Sequence, residues 1–145
     1  MNKKLITIES IGPIIRKIKF QKKTISLCHG VFDILHVGHI KHLKEASKAS
    51  DVLIVSITGD RYIKKGLGRP YFNENLRAEL LSSLSYVDYI IISNEFTGTR
   101  SIKKIRPDFY FKGIDYIGSN KTDLSLKKET VNRDKIIESL RNRIY

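Results

Sequence analysis

Residues Cys28–His42 read CHGVFDILHVGHIKH, and this stretch decides the fold. A strand-like run, Thr24-Ile25-Ser26-Leu27, enters it. A helix-like run leaves it, with Ile40, Leu43, Ala46 and Ser47 at helical spacing as far as Ala49. Between the two lie His29-Gly30, His36 and Gly38-His39. A strand, a Gly/His loop and a helix make a cradle for an anion, because the first amides of the helix point outward and its dipole is positive there.

The same alternation continues on both sides. Upstream, Ile11, Ile14, Ile15 and Ile18 share a helical face over residues 8–22, with Ser10 as a cap and Pro13 tolerated in the first turn. Downstream, Asp51–Thr58 (DVLIVSIT) is a nearly unbroken apolar run, as expected of a parallel strand covered on both faces. A long loop, Gly59–Phe72, precedes a helix over Glu74–Leu84 capped by Asn73, with apolar positions Leu76, Leu80, Leu81 and Leu84. Asp88–Ser93 (DYIIIS) is a third strand, Thr97–Ile105 a helix stopped by Arg106-Pro107, and Asp108–Lys112 (DFYFK) a fourth strand. The order αβαβαβαβ predicts an α/β fold, a parallel sheet with helices on both faces in one domain spanning 1–145. No fifth apolar strand is visible, and residues 130–143 read as a charged helix with a thin stripe of Val131, Ile136, Ile137 and Leu140.

Composition narrows the class. A chain of 145 residues, 41% hydrophobic and 29% charged, suits a globular domain with its own core. No apolar run approaches the ~20 residues that span a bilayer, and the start, MNKKLITIES, lacks the pattern of a signal peptide. One cysteine excludes an internal disulfide framework and fits a reducing cytoplasm. The net charge of +12 sits at the ends: residues 1–24 carry 7 basic and 1 acidic residues, and 103–145 carry 11 and 6. The ends lack the interleaved aromatics of a single-strand binder, so they read as solvated lysine-rich surface and no nucleic-acid partner is expected.

Within the cradle, His36 and His39 stand three apart at a helix start, where both imidazoles can address one phosphoryl group, and Gly38 lets a phosphate approach the backbone. A zinc site is the rival use of His36, His39 and His42, but a spacing of i, i+3, i+6 drifts round a helix and no CxxC or HExxH occurs. Cys28 and His29 alternate across a strand, so they form no nucleophile–base pair. Cys28 reads as a core residue and His42 as the outer side of the helix. Lys64-Lys65-Gly66-x-Gly68-Arg69 is an exposed basic loop or a phosphate-binding flap. Arg77 by itself is a solvated helix residue. Asp60 is a ribose ligand or a turn cap, and Tyr71, Phe72 and Phe96 read as core aromatics more than as base-stacking ones.

These residues carry a resemblance. Gly30-Val31-Phe32-Asp33-Ile34-Leu35-His36-Val37-Gly38-His39 resembles the signature of the cytidylyltransferase-like nucleotidyltransferases, closest in look to glycerol-3-phosphate cytidylyltransferase and the nucleotidyltransferase domain of ADP-heptose synthase. Thr58-Gly59-Asp60, Lys64–Pro70, Asn75-Leu76-Arg77, Tyr86-Val87-Asp88 and Arg106–Tyr116 match in family order, so the likeness covers about residues 8–116.

The resemblance implies a Rossmann-like fold and transfer of CMP or AMP from CTP or ATP to a phosphorylated sugar or polyol, with release of pyrophosphate. The product would be a precursor for surface polysaccharide. It implies Mg²⁺ with the nucleotide, a homodimer, a cytoplasmic site and no membrane. Carried over by position, His36 and His39 hold the triphosphate, Lys65 and Arg77 bind phosphates, and Gly30, Val31, Phe32, Asp33, Gly38 and Asp60 shape the nucleotide site. Lys112, Gly113 and Asp115 then lie near the base or ribose. The family's further strand and Ser/Thr-rich turn have no counterpart in 117–145, which reads as a divergent or shortened tail. The alternative is a nucleotide-binding or regulatory module of the same fold.

Overall fold

The computed structural model describes residues 2–64, 66–112 and 129–130. Helix α1 (Gly12–Phe20) leads into β1 (Ile25–Gly30), followed by α2 (Val37–Lys48), β2 (Val52–Thr58), α3 (Glu74–Ser82), β3 (Tyr89–Ser93), α4 (Thr99–Ile105), β4 (Phe109–Lys112) and β5 (Glu129–Thr130). The sheet runs in the order β3-β2-β1-β4-β5, and all but the last pairing are parallel. The chain lays β2 and β3 on one side of β1 and then returns to its other side for β4. The boundary between β1 and β4 is therefore the topological switch point, where ligands of open α/β sheets bind.

Alternation along the strands builds a core on each face. Ile25 and Leu27 of β1, Ile54, Ile91 and Tyr110 pack with Ile11, with Ile15 and Ile18 of α1 and with Ile102 and Ile105 of α4. Cys28, Leu53, Val55, Ile57 and Phe111 turn to the other face, against Leu43 and Ala46 of α2 and Ala78 and Leu81 of α3. Helices thus cover both faces, as the alternating pattern requires, and Cys28 is a core residue whose thiol burial pushes up.

Three aspartates register the strands. Asp51, Asp88 and Asp108 stand just before β2, β3 and β4, and each carboxylate accepts a backbone amide of the neighbouring strand: Thr24 at 2.8 Å, Leu53 at 2.8 Å and Ile25 at 2.8 Å. The bonds fix the amino ends of the strands, leaving the carboxyl ends to the loops that form the site.

Several elements differ from the sequence expectation. Helix α1 begins two residues after Ser10: Ile11 is its N-cap residue, and the Ser10 hydroxyl accepts from Thr7. On α3 the buried residues are Arg77, Ala78 and Leu81, and Leu84 packs against the same core as expected, whereas Leu76 and Leu80 are 46% and 41% exposed, so half of the expected apolar positions face outward. His42 is buried, edge-on to Phe111 at 6.4 Å, because the stripe of α2 that meets β4 includes it. Thr130, read as a helix start, pairs with Phe109 in β5, an antiparallel edge of two residues. A second edge unseen in the sequence lies beside β3, where the Ile6 amide donates to Ile90 O at 2.9 Å and the Ile90 amide to Lys4 O at 2.9 Å. The helix expected over 130–143 otherwise falls outside the described residues.

Candidate active site

The site is built where β1 ends and α2 begins. His36 is the N-cap of α2, with its backbone still extended. Its Nδ1 accepts the Gly38 amide at 3.0 Å, while its own amide donates to His39 Nδ1 at 3.3 Å. The two histidines thus cap the helix reciprocally, in the manner of a capping box with imidazoles in place of Ser and Glu. Their ring centroids lie 3.9 Å apart. An Nδ1 that accepts an amide has no proton, so each neutral ring carries its proton on Nε2. The cap therefore fixes both tautomers as well as the helix start. Phe32, buried and in the left-handed region at φ 52°, packs edge-on to His39 with centroids 5.6 Å apart.

Gly38 has a second reason to be glycine besides backbone access. A Cβ there would stand 2.7 Å from His36 Cε1 and 2.9 Å from Nδ1, inside the capping ring.

Arg77 and Asp60 organise the next layer. The Arg77 side chain is 0% exposed. Its Nε donates to Phe72 O at 3.0 Å, one terminal nitrogen donates to Val31 O at 2.9 Å and Thr58 O at 2.7 Å, and the other meets Asp60 Oδ1 at 2.7 Å. One guanidinium thus ties the loops after β1 and β2 to the start of α3. The geometry makes Arg77 a clamp beneath the site, with its donors turned to these carbonyls, where the sequence suggests a phosphate ligand. Asp60, read as a ribose ligand or turn cap, opens a one-turn 3₁₀ helix (Asp60–Tyr62) and receives the Arg77 charge.

Asp33 anchors the loop 59–72. Its carboxylate accepts the amides of Tyr71 at 2.9 Å and Phe72 at 3.0 Å and the Arg69 guanidinium at 3.2 Å. Burial pushes this carboxyl up, but the two amides and Arg69 outweigh burial and hold it below the ordinary aspartate value. The far foot of the loop is held by Tyr62, edge-on to Phe96 at 5.0 Å, with Lys64 Nζ 4.5 Å from the same ring. Between the feet, Gly66 and Gly68 take φ of 85° and 77°, and Leu67 is fully exposed. Tyr71, Phe72 and Phe96 are likewise exposed, against the core placement expected of them. Gly30 closes β1, and Val31 contributes its carbonyl to Arg77. The Lys112 backbone is in register with His29, while Lys65, Gly113 and Asp115 lie outside the described residues.

The family model described as cytidylyltransferase-like matches residues 27–141, from the first strand through the histidine cap to the tail. The chain belongs to the cytidylyltransferase-like family. With that membership it falls among the nucleotidyltransferases, as the ordered motifs anticipate. It is 37% identical over 125 residues to the bifunctional protein HldE of Helicobacter acinonychis, which covers 85% of this chain and 27% of that protein. The HldE of Campylobacter concisus is 40% identical over 128 residues, 87% of this chain and 27% of that one. The chain therefore spans about a quarter of the length of these curated relatives. Among solved structures, a lipopolysaccharide core biosynthesis protein from Thermoplasma volcanium is similar at 36% identity and a TM-score of 0.56, over 61% of this chain and 72% of that one.

No group of three or more His, Cys, Asp or Glu among the described residues is placed to hold a metal, and the carboxylates of Asp33 and Asp60 serve Arg69, Arg77 and loop amides. This donor set does not cage an ion, but it fits Mg²⁺ carried on nucleotide phosphates, which commonly keeps its waters and needs few protein ligands. No described helix is long and apolar enough to cross a membrane.

Proposed function

We propose that this chain transfers CMP or AMP from CTP or ATP to a phosphorylated sugar or polyol. A phosphate oxygen of the acceptor attacks the α-phosphorus and forms the new O–P bond. The bond from that phosphorus to the bridging oxygen breaks, and pyrophosphate leaves with the electron pair. The acceptor phosphate is already anionic, so no strong general base is needed and catalysis is positioning plus charge stabilisation.

The observation that carries this reading is the reciprocal cap of His36 and His39. It puts two Nε2–H donors and a helix N-terminus together at the carboxyl end of the central strand. We assign the triphosphate to that end. We assign Lys65 to its phosphates, and Arg77 keeps the loops after β1 and β2 in place. Lys112, Gly113 and Asp115 take the base and ribose. Mg²⁺ bound to the nucleotide neutralises phosphate charge. Similarity to the Thermoplasma lipopolysaccharide core biosynthesis protein supports a surface-polysaccharide precursor as product. Consumption of a nucleoside triphosphate places the reaction in the cytoplasm, and we assign a homodimer as the assembly.

The test is a pyrophosphate-release assay with CTP and ATP against a panel of sugar phosphates and polyol phosphates. Turnover that requires His36 and His39 supports the mechanism, and turnover that survives their joint replacement by Ala overturns it. Nucleotide binding by calorimetry without turnover on any acceptor favours the alternative, a binding module.

A further inference from the structure

The fold gathers basic residues from distant parts of the sequence on the outer side of α1 and α4. Arg16, Lys17 and Lys19 of α1, Lys22 just after it, and Lys103 and Lys104 of α4 are all exposed. Lys19 Nζ donates to Arg106 O at 3.1 Å, which joins the ends of the two helices. Arg16 and Lys104 converge over Gly12, where a Cβ would stand 3.4 Å from Arg16 Nη1 and 3.7 Å from Lys104 Nζ. No ion pair joins either of them to a carboxylate among the described residues. Glu9 and Glu95 both engage Arg100, at the start of α4. Asp51 and Asp108, at the amino ends of β2 and β4, each hold a backbone amide, and the cations outnumber them.

Phe20 stands among these cations. It is the last residue of α1 and is 90% exposed. Helical spacing puts it one turn beyond Arg16 and Lys17 on the same surface. Its backbone is fixed: the Gln21 amide donates to Lys17 O at 3.1 Å and the Lys23 amide to Ile18 O at 3.1 Å. Between them Lys22 takes φ of 56°, the left-handed place after a helix that glycine usually fills. One exposed apolar side chain is ordinary on a protein surface. An aromatic ring held out rigidly between lysines and arginines is the arrangement of an interfacial anchor.

We propose that this face of α1 and α4 docks on an anionic phospholipid surface, with Phe20 entering the headgroup layer and the surrounding cations lying on the lipid phosphates. The proposal goes beyond nucleotidyl transfer and does not depend on it. It needs no spanning helix, and it revises the reading of the basic ends as solvated surface and the expectation of no membrane contact. Charge complementarity selects the partner, because the cytoplasmic leaflet is negative and each Lys or Arg near it strengthens binding about fivefold. A single anchoring signal binds only marginally, and here a ring and a polybasic patch act together. Nucleic acid fits this face less well. Strand binders stack successive bases on several aromatic rings, and Phe20 is the one aromatic residue that α1 and α4 carry. The orientation is also suitable. Phe20 precedes the amino end of β1, whereas His36 and His39 follow its carboxyl end, about 20 Å of strand away. Docking by Phe20 leaves the candidate active site facing the solvent.

The test is co-sedimentation of the full chain with vesicles of phosphatidylcholine alone and of phosphatidylcholine mixed with phosphatidylglycerol, at rising salt. The expected result is binding to the mixed vesicles that weakens with salt, and none to phosphatidylcholine alone. Phe20→Ser weakens that binding about tenfold. Lys17→Gln and Lys103→Gln weaken it about fivefold each. Lys41→Gln, an exposed position on α2, leaves it unchanged. The chain contains no tryptophan, so Phe20→Trp carries a single reporter whose emission shifts to the blue on the mixed vesicles. Each variant is compared after its circular dichroism matches wild type. An equal loss from Lys41→Gln, or an unshifted Trp, means diffuse attraction by the net charge of +12 and overturns the proposal. Absence of binding to the mixed vesicles overturns it as well. An RNA oligonucleotide bound more tightly than those vesicles overturns it in favour of a nucleic-acid partner.

Discussion

Arg77 reaches Asp60 at 2.7 Å from a fully buried position, and the same guanidinium collects carbonyls from Val31, Thr58 and Phe72. A charge with no exposure is tolerated because acceptors surround it. Two loops of the site, that after β1 and both ends of that after β2, therefore depend on one side chain.

Replacing Arg77 by Ala leaves Asp60 and three carbonyls without their donor. Breaking a buried pair from one side costs about 3–5 kcal/mol. Urea unfolding of Arg77→Ala is expected to show a loss of that order. Arg77→Lys falls between it and wild type, since an ammonium has no planar fork to span the two loops. A stability equal to wild type for Arg77→Ala would remove the clamp from this account.

His36 has two separable duties, and one substitution divides them. Asparagine is a good N-cap, so His36→Asn keeps α2 capped while removing the imidazole donor. His36→Ala loses both and is expected to be less stable by about 1 kcal/mol. Both variants are expected to lose about 10²–10³ in turnover, the usual effect of removing one charge-stabilising donor. Thermal melts paired with pyrophosphate-release rates check this. A His36→Asn variant with wild-type turnover would reduce His36 to a cap.

The parts legible in the sequence are those governed by local chemistry. Unbroken apolar runs give β2 and β3, the Asp before each later strand marks its start, and Gly38 between two histidines marks the start of α2. The misreadings share one cause, which is a tertiary partner that overrides the local pattern. Arg77 reads as solvated because its four acceptors come from separated segments, and Leu76 reads as core because periodicity cannot see that carbonyl array. His42 is buried only because Phe111 crosses it. The edges at Lys4–Ile6 and Glu129–Thr130 are too short to show a period. The hydrogen bonds from His29 through Ser56 to Ser101 join three elements and have no sequence signature.

Gly38→Ala tests the cap from the other side. Alanine suits a helix interior better than glycine, so propensity alone predicts a gain. The new Cβ, however, would meet the His36 ring at 2.7 Å and displace it. The expected outcome is a net loss of stability together with lower turnover, measured on the same preparations. Higher stability with unchanged turnover would show that the His36 ring is not needed where it stands.

Asp33 makes the anchoring of loop 59–72 depend on pH. Its pKa is lowered in the folded protein, by the Phe72 and Tyr71 amides and by Arg69, against the upward push of burial. A group depressed on folding contributes stability that is complete above its unfolded value, about 3.9 for aspartate. That contribution falls away as the pH drops through the lower folded value. Wild type is therefore expected to lose stability below about pH 4 more steeply than Asp33→Asn, whose amide does not titrate. Asp51 is also depressed, by its bonds to Thr24, but it is common to both proteins and cancels in the difference. Urea unfolding of the pair between pH 6 and pH 2 measures that difference. Parallel curves would mean that the Asp33 carboxylate gains nothing from Tyr71, Phe72 and Arg69.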